Sequence, residues 1–513
     1  MKKVFNAILL LSAFLFFHSC KYDKIDPSNP DTATYPLDVE KIFVGKCSVP
    51  GCHTTNDKDA SSGLDLSTWN ALFNGARNGS PVVPFTSKFS FLTYFINSYP
   101  DLGLIHDSIG NSMPPNPPLL SHDEVATIMD WINHGAPDKN GTFRFTNDAS
   151  RKKIYAAMQA RDEVAVFDAE SRQIMRYIKV GRDDNVIELP HQIRISPDGQ
   201  YWYVIFINSI WMQRYRTIDD VLDGEVNIGP GNWNTMSITP DGNHIFISDF
   251  RPNPNGKVIH VNLQTMALAG ASIPLDSPHG THFMQTQPIL YVTAQLGNFI
   301  YKFDFTGNPN YNFDLPSFVT MRTGVVPNIT SSFDPHEIIF TPDESKYFVT
   351  CQKSNGVRMF NTANDSLLDS IPVGDFPQEM SISPSRHLLF VTCQEDSTSA
   401  SRQSFEKGSV SVYNYQTNQP VNISLGVTQG FMRCYQPHGI AVDESTGKVF
   451  VASLNYSLTG PAPHHSTGGS ERNGFVTIID MNTMEYLNGM DSFGFPYIYN
   501  SEVLPFPYSV MAK

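Results

Sequence analysis

The sequence predicts a mainly β protein, a seven-bladed β-propeller preceded by a small all-α domain. A phrase built on Pro-His, then Pro-Asp, then a Tyr- or Phe-Val strand returns throughout the last three quarters of the chain. Apolar residues before residue 140 instead recur at steps of three and four, the period of a helix face. The composition agrees, because 17% charged residues with 34 Gly and 36 Pro suits many short strands joined by tight turns. A length of 513 residues exceeds what one core usually supports. A formal charge of -14 excludes wrapping nucleic acid or anionic lipid head groups, whose phosphates would repel it.

Residues 1–20 read as an export signal, with Lys2 and Lys3 ahead of an apolar run from Val4 to Phe17 that is too short for a typical membrane span. Ser19-Cys20 follows it and resembles a lipoprotein signal, which implies acylation of Cys20 and a membrane anchor; the plainer alternative is an ordinary cleaved signal with an incidental cysteine. Either way the chain leaves the cytoplasm for the cell envelope. Residues 21–35 are polar, with too little apolar surface to fold, and read as a tether.

Residues 36–145 form the helical domain. Val39, Ile42, Phe43 and Cys47 share one face of a helix from Asp38, Ser67 caps a helix through Leu72, and Ser121 with Glu124 makes a capping box ahead of Val125, Ile128, Trp131 and Ile132. Between the first two helices lies Cys47-Ser48-Val49-Pro50-Gly51-Cys52-His53. Two thiols and an adjacent imidazole suit covalent haem attachment, since thiolates add to the vinyl groups and the His supplies an axial nitrogen. The usual motif holds two residues between the cysteines and this one holds four, with Pro50-Gly51 supplying a turn that takes up the excess. Met113, in Ser-Met-Pro-Pro, is the expected sixth ligand, and Met129 is its fallback. Zinc on Cys47, Cys52 and His53 is the weaker reading, because adjacent Cys and His do not easily reach one ion.

Together with Gly63-Leu64-Asp65-Leu66-Ser67-Thr68-Trp69 and Asp130-Trp131-Ile132-Asn133-His134-Gly135-Ala136, these motifs resemble a bacterial envelope cytochrome c module of the wide-spacing type. The resemblance implies one haem c, attached through Cys47 and Cys52, with iron ligated by His53 and Met113, and a role in electron transfer.

Residues 150–513 carry the repeat. Its opening phrase stands at Pro190-His191, Asn234, Pro278-His279, Pro335-His336, Pro377-Gln378 and Pro437-His438. Lys153-Ile154-Tyr155 reads as the second strand of the first blade, and its missing innermost strand is supplied by Phe506 to Met511, with Tyr508 in the His slot. The pattern resembles the YVTN family of β-propellers.

Aligned blades place Tyr508, His191, Asn234, His279, His336, Gln378 and His438 at one equivalent position, predicted to sit just before the innermost strand at a mouth of the channel. Such a ring can bind a second metal or cofactor, or transfer protons. For any single His, a hydrogen bond within its own blade is the plainer account. His282 is a further candidate, His464 and His465 read as an exposed loop, Cys351 and Cys393 as buried free thiols, and Cys434 stands alone.

Three functions remain open on these residues. The first is an oxidoreductase with a second redox or metal site at the ring. The second is an envelope module whose propeller docks a protein while the haem relays electrons. The third and weakest is a hydrolase like the lactonase propellers. A redox partner protein or a small-molecule substrate is the expected partner, and nucleic acid is not.

Overall fold

A computed structural model describes residues 35–76, 79–103, 112–252, 255–395, 408–425, 436–454, 474–487 and 507–513. The signal, residues 21–34 of the tether, Cys20, Cys434, His464 and His465 lie outside them; Tyr35, read as the end of the tether, is instead buried against Phe43 and Trp131 and belongs to the helical core.

Four α-helices precede the first strand among the described residues: α1 (Leu37–Ile42), α2 (Trp69–Leu72), α3 (Phe91–Ile96) and α4 (His122–Asn133). Helix α1 runs into a π-helical turn, Phe43–Cys47, which carries the first thiol to its end. The capping box at Ser121 forms as expected, with Glu124 reaching back to the Ser121 N–H at 2.9 Å. The cap of α2 differs from expectation: Thr68, not Ser67, accepts the Ala71 N–H, at 3.1 Å. Ser67 is diverted because its hydroxyl donates to the Asp65 carboxylate two residues back, at 2.5 Å.

The rest of the described chain is seven antiparallel sheets in a ring. The first contains Pro507–Ala512, Lys153–Met158, Glu163–Asp168 and Ile174–Lys179, in that order. Ring closure is therefore made by the two ends of the repeat region, as the sequence predicts, with Tyr155 opposite Met511. The innermost strands of the other blades are Pro190–Ile195, Trp233–Ile238, Pro278–Phe283, Pro335–Phe340, Pro377–Ser383 and Pro437–Asp443. Each packs against its neighbours, and Pro507–Ala512 bridges the last to the first.

The repeated phrases have local causes. In Thr341-Pro342-Asp343 the hydroxyl donates to the Asp343 carboxylate at 2.6 Å, and that carboxylate also accepts the Ser345 N–H at 3.1 Å, which closes the turn into the second strand. Second strands such as Tyr347, Phe348 and Val349 are buried on both faces between blades.

The helices dock on the first blade. Ser80 Oγ accepts the Ile174 N–H at 2.6 Å, and the Arg161 guanidinium lies 3.6 Å from the Phe89 ring centre. One apolar cluster runs without a break from Tyr35 and Trp69 through Val125 and Ile132 to Tyr155 and Trp202.

Candidate functional site

The thiol motif folds back on itself. The Cys52 N–H donates to Val49 O at 3.0 Å and the His53 N–H to Cys47 O at 3.2 Å, so the four intervening residues make a compact turn. Gly51 holds that turn at φ +83, and its N–H is tied to the Asp57 carboxylate at 3.0 Å. Neither thiol is in a disulfide, and both are half-buried. Burial, then the neighbouring Cys52, pushes the Cys47 thiol up to about 12.

His53 Nδ1 stands 3.1 Å from Leu64 O. A backbone carbonyl at that nitrogen selects the tautomer whose Nε2 keeps its lone pair, the arrangement that orients an imidazole toward a metal. Burial lowers the His53 pKa from its ordinary value, favouring the neutral ring. Met113 is half-buried, with its peptide N–H held by Phe95 O at 2.9 Å; Met113, Met129 and Cys47 all pack against the same apolar cluster.

The second constellation is the ring. Its members lie within the innermost strands, as second residues, rather than just before them. In all seven blades the pairing of the innermost strand with the second strand slips just there, between Pro190 and Gln192 or between Pro335 and Ile338 for example. Such a bulge turns a side chain out of the alternation of the sheet. All seven ring residues are buried. The rings of His438 and Tyr508 are 3.7 Å apart, those of His191 and Tyr508 4.4 Å, and those of His279 and His336 4.0 Å. Sequence alignment of the blades thus brings together side chains that do meet.

Hydroxyls clamp half of this ring. Thr293 Oγ1 accepts the Gly280 N–H in its own blade at 2.7 Å and donates to His336 O of the next at 2.8 Å. Thr350 does the same between Glu337 and Gln378, and Thr392 between Glu379 and His438. Ser248 does so between Thr235 and His279, whereas Ala157, Ile205 and Ala452 hold the corresponding place in the other three blades, where no hydroxyl is available. Gln378 is bound within its plane, accepting from Gln352 at 2.8 Å and donating to Gln394 at 2.9 Å.

Below the ring, a cavity of about 440 Å³ occupies the channel, lined by Arg194, His282, Glu337 and Glu379 among others. Glu337 and Glu379 were not singled out from the sequence. They follow ring residues directly, at a repeat position otherwise held by Gln192, Thr235, Gly280, Gly439 and Ser509, so two acids at that slot were the available signal. Burial raises both carboxyls, and for Glu379 the neighbouring Glu337 adds to it. The Arg194 guanidinium is held by Met236 O and Ile193 O, at 3.2 and 3.3 Å. His282 faces the same cavity, stacked on Phe340 at 4.4 Å, and burial takes its pKa down to about 3. Cys351 and Cys393 are buried free thiols, as expected.

The architecture and site define a seven-bladed β-propeller with a buried imidazole and carboxylate cluster in its channel. No protein-family profile and no curated protein matches the chain. Among solved structures it is similar to hydrazine synthase of Kuenenia stuttgartiensis, at 15% identity over 60% of this chain and 81% of that one, with a TM-score of 0.44. It is also similar to a functionally unknown protein from Desulfotomaculum acetoxidans, at 13% identity over 70% and 98% of the two chains and a TM-score of 0.48. A third likeness is to the dihydro-heme d1 dehydrogenase NirN in complex with DHE, at 10% identity over 90% and 98% and a TM-score of 0.45. The propeller assignment itself rests on the sheet topology.

Proposed function

We propose that the chain is an exported electron-transfer protein whose helical segment carries one haem c, attached through Cys47 and Cys52, with His53 and Met113 as axial ligands. The observation that carries this reading is the His53 Nδ1 contact with Leu64 O at 3.1 Å, on a turn that also presents two unpaired thiols. The donor set fits: two thiols for attachment, a neutral imidazole, and a thioether packed against the same apolar cluster as Cys47. Haem c, when bound, supplies a one-electron couple. The residues here orient the imidazole and hold Met113 by its peptide N–H.

Covalent attachment belongs to the envelope side of the membrane, so this reading includes export, with Cys20 as the lipid anchor. The acidic channel cluster favours an oxidoreductase with a second site over a propeller that only docks a partner. The test is the pyridine haemochrome spectrum of protein made in an exporting host with haem-attachment machinery. One haem per chain that survives denaturation is expected. Cys52→Ala should lose one thioether, and Met113→Ala, but not Met129→Ala, should lose the charge-transfer band of thioether-ligated ferric haem. Haem still held by two thioethers in Cys52→Ala would sink the assignment.

A further inference from the structure

We propose that His279, His336 and Glu337 bind one divalent first-row transition-metal ion in the propeller channel, at the edge of the cavity that Glu337 lines. The site comes from two adjacent blades. One donor atom from each of the three side chains lies within 4.8 Å of the other two, and all three residues are buried. His279 Nδ1 is 3.3 Å from His336 O and 3.4 Å from Glu337 Oε1; the carbonyl selects the tautomer protonated at Nδ1, which leaves Nε2 as the atom offered to the ion.

The scaffold around these donors is already fixed. The carbonyl of His279 accepts the hydroxyls of Thr235 and of Ser248, the latter at 2.7 Å; the carbonyl of His336 accepts Thr293. The Glu337 N–H is held by Thr350 Oγ1 at 2.9 Å, so the backbone of every ligand is tied to a blade wall. Ligands held by their surroundings need little reorganisation to bind.

Charge points the same way. The cavity wall holds two carboxylates, Glu337 and Glu379, against the single guanidinium of Arg194. Buried carboxylates need a proton or a cation beside them, and a dication would relieve both. Two imidazoles and one carboxylate suit zinc, iron, cobalt, nickel or copper, whereas calcium and magnesium prefer oxygen donors alone. Three protein ligands leave positions for a small ligand or water in the adjoining space. The inference stands apart from the haem assignment and uses none of its residues.

The test is calorimetric titration of the full-length, chelator-dialysed protein with Zn2+, with Ca2+ as the comparison ion. About one Zn2+ per chain is expected, with no comparable Ca2+ binding. Glu337→Gln and His279→Ala should each weaken Zn2+ by more than about 100-fold, whereas His260→Gln, outside the channel, should not. X-ray absorption at the zinc edge of the wild-type complex should show nitrogen and oxygen neighbours and no sulfur, a readout that survives if a variant fails to fold. Absence of saturable Zn2+ binding overturns the proposal. So does Zn2+ that is unaffected by Glu337→Gln, or that is lost in Cys52→Ala with sulfur at the edge, which would place it on the thiols and count against the haem reading instead.

Discussion

Single side chains here are set by which atoms reach them. His244 Nδ1 is 2.8 Å from His260 Nε2, and His260 stacks on Phe246 with Tyr311 against its edge. One imidazole must accept from the other, so the contact exists only while the accepting ring is neutral. Burial, then the neighbouring His244, takes His260 down to about 4; Asp241 beside His244 pulls that ring the other way without restoring its ordinary pKa. A folded pKa below the unfolded one means the fold binds fewer protons. The stability is present above about 6.5 and is lost as pH falls through about 4. Melting temperature should therefore fall more between pH 7 and pH 4.5 in the wild type than in His260→Gln; equal falls would show that this pair does not govern the loss. His53 illustrates the limit of reading residues alone, since the motif singles out the imidazole but the partner of its Nδ1, Leu64, is eleven residues on and is chosen by the fold.

Elements in this molecule are joined through the bulge. Each innermost strand gives up regular pairing at its ring residue, and in four blades a Ser or Thr of the second strand fills the gap. Thr392 is the clearest case, taking the Glu379 N–H at 3.1 Å and giving its proton to His438 O of the next blade at 2.6 Å. Thr392→Val keeps the shape and removes both bonds, leaving a buried N–H and a buried carbonyl short of a partner. A loss of about 1–3 kcal/mol is expected, read as a lower urea midpoint with an unchanged slope. An unchanged midpoint would mean that the bulge holds without its hydroxyl, as it does where Ala157, Ile205 and Ala452 stand. Gly280 and Gly439 belong to the same joint: a Cβ on Gly280 would come within 2.8 Å of Glu337 Cα, so neighbouring innermost strands can approach this closely only where one lacks a side chain.

At the scale of the whole molecule the ring is closed by hydrogen bonds across the first blade. Pro507–Ala512 pairs with Lys153–Met158, and its Tyr508 is packed between His191 and His438. A chain ending at residue 506 would expose the edge of Lys153–Met158 and open the channel wall between two blades. We expect such a chain to lose its single cooperative melt and to aggregate, with a peptide spanning 507–513 restoring the melt in part. A truncated chain that melts at the wild-type temperature would show that closure is not made there. The first blade and the one opened by Pro190–Ile195 are also pinned away from the channel, where Asp220 takes Lys153 Nζ at 2.8 Å and the Tyr155 hydroxyl at 3.0 Å. Asp365 repeats the device, taking the hydroxyls of Tyr291 and Tyr347, each at 3.1 Å.

The blade count, the closing strand and the membership of the ring were legible in the amino-acid sequence, because a repeat states the same local instruction seven times and alternation exposes each strand. The compact turn of the thiol motif was legible because its residues, Cys47 to His53, are contiguous and include Pro50-Gly51. Only the tertiary structure decided that the ring residues sit in bulges, that Thr293, Thr350 and Thr392 bind one blade to the next, and that Glu337 and Glu379, which share a cavity, meet the imidazoles of His279 and His438. His279 and Glu337 are far apart in the chain and 3.4 Å apart in space. No spacing rule connects them, since their meeting depends on how closely two blades approach once the circle is complete.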